Sequence, residues 1–96
     1  MADIINLYIE TLTPKAKGIV RGTAKLVVSG IGSVMLDEHG AREGDETADV
    51  VLIASHEVFG KILSGDQNPI TAFMSGKLKV EGNTKRALKV SSILTA

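Results

Sequence analysis

The sequence predicts an α+β domain from three observations. Apolar residues recur at three- and four-residue spacing near both ends, glycine-bounded segments of alternating or continuous apolar character fill the middle, and no internal repeat appears. In chain order the pattern reads helix, three or four strands, two helices, strand, helix, and the simplest packing puts the helices on one face of the sheet. Ninety-six residues fit one small domain, 1–96, with no room for separate catalytic and binding units.

Asp3 is placed to cap a first helix carrying Ile4, Ile5, Tyr8, Ile9 and Leu12, with Pro14 expected to stop it. Thr23 to Ser29 alternates, Ala24, Leu26 and Val28 sharing the drier face of a strand. Gly30-Ile31-Gly32 allows a tight reversal into a returning strand, Ser33 to Asp37, although an isoleucine at a turn has no explanation at this level. The acidic stretch from Asp37 to Asp49 is expected to be a solvated loop, with a short edge strand near Ala41 to Glu43. Val50 to Ala54 is a continuous apolar run, as in an interior strand. Ser55 stands where a cap belongs, before a helix with Val58, Phe59, Ile62 and Leu63 in one stripe and Gly65 at its end. Asn68-Pro69 opens a short third helix with Ile70, Phe73 and Met74. Lys77 to Glu81 alternates with Leu78 and Val80 inward. Asn83 is placed to cap a last helix in which Ala87, Leu88, Ser91 and Leu94 share a side.

Composition narrows the function. Tyr8, Phe59 and Phe73 are the whole aromatic content, so the core must be aliphatic and few platforms exist for base stacking. With no cysteine, disulfides, thiolate metal sites and cysteine nucleophiles are excluded. No apolar run approaches the ~18 residues of a membrane span and no basic segment opens the chain, so a cytoplasmic protein is expected. Eleven basic and eleven acidic residues balance, but not locally. Residues 37–49 hold six acids and one arginine, whereas residues 77–89 hold five basic residues and one acid, which predicts a dipolar molecule without affinity for nucleic acid.

No catalytic or metal constellation is visible. His39 and His56 lack partners at ligand spacing and read as surface histidines, the acidic loop does not follow a calcium pattern, and Gly30-Ile31-Gly32 lacks the third glycine of a dinucleotide fingerprint. Neither a cofactor nor an enzymatic activity is expected; a rival reading would place chemistry at His56 and Glu57. Lys77, Lys79, Lys85, Arg86 and Lys89 have two uses, protection of an edge strand or attraction of an anionic membrane or acyl-CoA phosphate. On the residues alone the apolar stripes read first as plain core, and composition does not separate a filled core from a hollow one.

The strand end Leu52-Ile53-Ala54-Ser55, the helix Glu57 to Gly65, Asn68-Pro69, the segment Phe73-Met74-Ser75-Gly76-Lys77-Leu78, the Gly82 turn and Ala87-Leu88-Lys89 together resemble the sterol carrier protein 2 family. The resemblance covers most of the chain and is strongest from Val51 to Leu94. It implies a five-stranded, mostly antiparallel mixed sheet with helices on one face and an apolar tunnel between the layers. It also implies non-catalytic binding and transfer of hydrophobic ligands: fatty acids, fatty acyl-CoA, sterol-like or isoprenoid lipids. On that implication the lipid-facing side chains are Phe59, Ile62, Leu63, Ile70, Phe73, Met74, Leu88 and Leu94. The alternative is an accessory subunit that presents a lipid intermediate to partner enzymes, as in ubiquinone biosynthesis. Leu94-Thr95-Ala96 is not a peroxisomal tripeptide, so a compact, bacterial, stand-alone member is expected. A dry void of ~400 Å³ would forfeit ~10 kcal/mol, comparable to a domain's whole stability. The ligand space must therefore be occupied, wet or collapsed.

Overall fold

The structure, a computed structural model, describes residues 2–18 and 22–94. Helix α1 (Ala2–Ala16) buries Ile5, Tyr8, Leu12 and Ala16, one stripe at helical period. The cap expected at Asp3 lies outside the side chains described. Pro14 does not stop the helix, contrary to expectation; it lies within the last turn, exposed. Tertiary contacts hold that turn. Ala16 is buried, Lys15 Nζ donates to the Leu94 carbonyl at 3.0 Å, and Thr13 Oγ1 accepts from the Ala41 amide of the sheet at 3.4 Å.

The remaining elements are β1 (Ala24–Val28), β2 (Gly32–Asp37), β3 (Gly40–Glu43), β4 (Val50–Ala54), α2 (His56–Ser64), α3 (Pro69–Met74), β5 (Lys79–Gly82) and α4 (Thr84–Leu94). They build a five-stranded sheet in the order β3-β2-β1-β4-β5, antiparallel except for the parallel pair β1–β4. In register, Ala24, Leu26 and Val28 lie beside Val50, Leu52 and Ala54 on one side and beside Leu36, Val34 and Gly32 on the other. These residues form the inner face, over which α1 covers β2 and β3 while α4 covers β4 and β5. The helices thus share one face, as the alternation in β1 requires.

Two stripes differ from expectation in detail. In α4 the buried residues are Ala87, Val90, Ser91 and Leu94, with Leu88 half-buried at the margin. Ser91 is satisfied locally, its hydroxyl donating to the Leu88 carbonyl at 2.8 Å. Leu78 is buried just before β5 begins, so the strand itself starts two residues later than the alternation suggests.

The acidic stretch is ordered by its own charges. Arg42 bridges Asp37 at 2.6 Å and Glu46 at 3.1 Å, holding the Asp37 carboxyl below its ordinary range through the Arg42 hydrogen bond first. Lys25 pairs with Asp45 at 2.8 Å across the outer sheet face, beside buried Met35.

The turn from β5 into α4 demands a glycine. Gly82 has φ +89° and pairs with Val50, and a β-carbon there would strike the Asp49 carbonyl oxygen. Gly82→Ala is therefore expected to cost at least ~2 kcal/mol by left-handed strain plus backbone displacement, measured by chemical denaturation.

Candidate functional site

Helix α2 presents two stripes. Ser55 caps it by accepting from the Val58 amide at 3.2 Å, and Glu57 and Lys61 pair across one turn at 3.4 Å. Phe59 and Ile62 point into the core with no exposed surface. The adjoining stripe, His56, Gly60 and Leu63, faces Ile4, Leu7, Tyr8 and Thr11 of α1, and the two helices leave an apolar groove of about 90 Å³ between them. Gly60 leaves open space on this side of α2, since a β-carbon built there meets nothing within 4 Å. Leu7, 61% exposed, stands at the rim.

One polar pair closes the groove. The Tyr8 hydroxyl lies 2.8 Å from His56 Nδ1, and the Tyr8 ring meets the His56 and Phe59 rings edge-on at 5.7 and 6.3 Å. Burial pushes the Tyr8 hydroxyl up to about 12. The raised value leaves folding unaffected below the unfolded tyrosine's range and penalises it above. Between pH about 10 and 12 the unfolded chain loses this proton while the folded chain keeps it, so stability should fall by about 1.4 kcal/mol per pH unit. Tyr8 is the sole tyrosine, and Tyr8→Phe should flatten that part of the alkaline denaturation profile.

The sequence-expected lipid wall is dispersed over three environments. Phe59, Ile62 and Leu94 are sealed in the core, and Phe73 and Leu88 are half-buried. Leu63 lines the groove, and Ile70 and Met74 stand on the surface. Because Phe59 and Ile62 expose no surface to a water-sized sphere, no space of that size adjoins them between helices and sheet. Ile4, Leu7, Tyr8, Thr11, His56 and Gly60 were not anticipated as a site. The available signal was Gly60, a residue of poor helix propensity in mid-helix.

His39 is exposed beside Glu38 at 3.7 Å. No three potential metal-ligating side chains come together among the described residues, and no helix there is long and apolar enough to cross a membrane. Lys77, Lys79, Lys85 and Lys89 are exposed and form no ion pair among the described residues, whereas Arg86 lies 3.7 Å from Asp49.

The sheet order and the one-sided helices define a small α+β domain with an apolar groove between α1 and α2. Residues 10–95 match the SCP-2 sterol transfer family, and the chain belongs to that family of lipid-binding and lipid-transfer domains. A hydroxysteroid dehydrogenase-like protein 2 of Rattus norvegicus is 45% identical over 56 residues, 58% of this chain but 11% of that protein's length. A fatty acid-binding protein of Yarrowia lipolytica is 40% identical over 47 residues, 49% of this chain and 36% of that one. The chain thus spans only a small part of these relatives. Among solved structures, sterol carrier protein domain 2 of Helicoverpa armigera superposes with a TM-score of 0.74 at 26% identity, covering 95% of this chain and 85% of that one.

Proposed function

We propose that the chain binds long-chain hydrophobic ligands, fatty acids foremost, and carries them without chemistry, admitting the acyl chain at the seam between α1 and α2. The observation that carries this reading is the apolar groove floored by Gly60 in a member of a sterol transfer family. A volume of about 90 Å³ is too small for a lipid, since small-molecule sites occupy ~300–1,000 Å³. Binding must therefore widen the seam, drawing α1 away from α2 and exposing Leu63 and the outer side of Phe59 to the ligand. The closed form has a physical reason. An empty 300 Å³ void would cost ~7 kcal/mol, a large part of a domain's ~5–15 kcal/mol. The ligand replaces the contacts that the opening breaks, and aliphatic walls impose little directional demand, so tolerance among chain lengths is expected.

The match to a small part of the rat relative favours a second reading, in which the same domain presents a lipid to an enzyme joined to it or bound beside it. Both readings require ligand binding. Titration with C14 to C18 fatty acids should show saturable binding, and at a hundredfold excess over Kd the gain of about 2.7 kcal/mol should raise Tm by about 10 °C or more. Absence of saturation and of any Tm change with these acids, their CoA esters and sterols would overturn the carrier reading.

A further inference from the structure

We infer that α3 and the lysines beside it form a docking surface for an anionic lipid bilayer. Ile70 and Met74 lie four residues apart on one face of α3, 50% and 80% exposed. The helix that carries them is firmly seated. Asn68 caps it through the Ile70 and Thr71 amides at 2.8 and 3.3 Å, Pro69 and Ala72 are buried beneath it, and the Lys77 and Leu78 amides both donate to the Ala72 carbonyl. Two large apolar side chains are thus held outward on a rigid knob.

Charge identifies the partner. Lys77 follows Met74 by three residues, Lys79 lies on the adjoining edge strand β5, and Lys85 and Lys89 lie on α4, which packs against α3. All four are exposed without an ion pair among the described residues, while Lys25, Arg42, Lys61 and Arg86 each have a carboxylate neighbour. Asp66 and Glu81 are the acids nearest in sequence, and neither pairs with these lysines. Of the acids between residues 37 and 49, Asp37, Glu38 and Glu43 lie on or beside β2 and β3 at the opposite edge of the sheet, about 19 Å from β5 at ~4.8 Å per strand step, while Asp45 is neutralised by Lys25 and Asp49 lies beside Arg86. The resulting dipole turns the β5 edge toward a negative surface and keeps the β3 edge away from it. Exposed Ile and Met on α3, with unpaired lysines after it and on the neighbouring β5 and α4, match the interfacial pattern of shallow apolar insertion combined with attraction to anionic headgroups.

This surface adds to the carrier reading a place where lipid is collected, and its test is independent of ligand capture. The chain has no tryptophan, so Met74→Trp provides a single reporter. On titration with phosphatidylcholine vesicles containing phosphatidylglycerol, its emission is expected to shift to the blue. Vesicles of phosphatidylcholine alone should produce a much weaker change. In the native chain, Lys77→Glu and Lys89→Glu should each weaken co-sedimentation with the anionic vesicles about fivefold or more, and 0.5 M salt should do the same. Fatty-acid binding in detergent-free solution should survive Lys77→Glu, which separates failure of docking from failure of the carrier reading. No blue shift with anionic vesicles, or binding indifferent to both lysine reversals, would overturn the inference.

Discussion

Phe59→Ala is expected to destabilise the domain by about 3–5 kcal/mol, the largest effect of any single truncation in the core. Phe59 is the largest side chain without exposed surface, and it meets the Tyr8 ring edge-on at 6.3 Å beneath the α1–α2 seam. Its removal forfeits both the transfer free energy of the ring and the contacts its neighbours make with it. In an ordinary filled core the loss is final. Here the new space borders the helix that carries Gly60, and apolar cavities of ~150 Å³ accept small apolar guests. Benzene or a C16 fatty acid should therefore raise the Tm of Phe59→Ala by more than it raises that of the native chain. Equal shifts in the two proteins would mean that the seam does not communicate with the core.

The legible parts of the sequence were those in which one local rule acts alone. Ser55, Asn68 and Asn83 were recognisable as caps because a side-chain oxygen three or fewer positions from an open amide suffices, and each accepts such a bond, Asn83 from the Arg86 amide at 3.1 Å. The inward face of β1 followed from residue type and a two-residue period, whereas Val50 to Ala54, apolar throughout, showed no such period and buries Val50, Leu52 and Ala54 with Val51 and Ile53 half-buried. Pro14 does not end α1, because the local rule against proline meets contacts distant in sequence, the burial of Ala16 and the bond from Lys15 to the Leu94 carbonyl. The apolar stripe Ile70, Phe73 and Met74 predicts an inner side for α3, yet Pro69 and Ala72 are the residues buried there and Ile70 and Met74 are exposed. Residues on either side of a six-residue helix give too little periodicity to fix which side faces in.

The α1–α2 groove was beyond reach for a related reason. Its walls come from residues about fifty positions apart, and its defining feature is an absence of side-chain volume at Gly60, which hydrophobic periodicity does not register. Leu63 was identified from its stripe; its companions Leu7 and Thr11 belong to the stripe of another helix, and only the packing angle brings them together. The charge asymmetry, in contrast, carried over directly. Asp37, Glu38 and Glu43 near β3 and the lysines near β5 become opposite edges because the strand order separates the two ends of the sheet, whereas Asp49 returns to the β5 side beside Arg86.

Gly60 supplies the decisive pair of substitutions. Gly60→Ala should stabilise the free protein by about 0.5–1 kcal/mol, because alanine costs less than glycine in mid-helix and its β-carbon meets nothing within 4 Å. Gly60→Phe places a ring in the space that separates α2 from α1, where it can bury apolar surface against Ile4, Leu7 and Leu63. The free domain should retain its stability or gain, while affinity for a C16 fatty acid should fall at least about tenfold, since the ring must be expelled before the seam can accept a chain, at ~1.4 kcal/mol per decade. A glycine at such a helical position costs the empty protein stability, which is the opposite of what a purely structural domain needs. A stable Gly60→Phe variant that still binds fatty acid with native affinity would move the entry to another seam. Loss of binding with retained stability would assign to this one missing side chain the opening through which ligand enters.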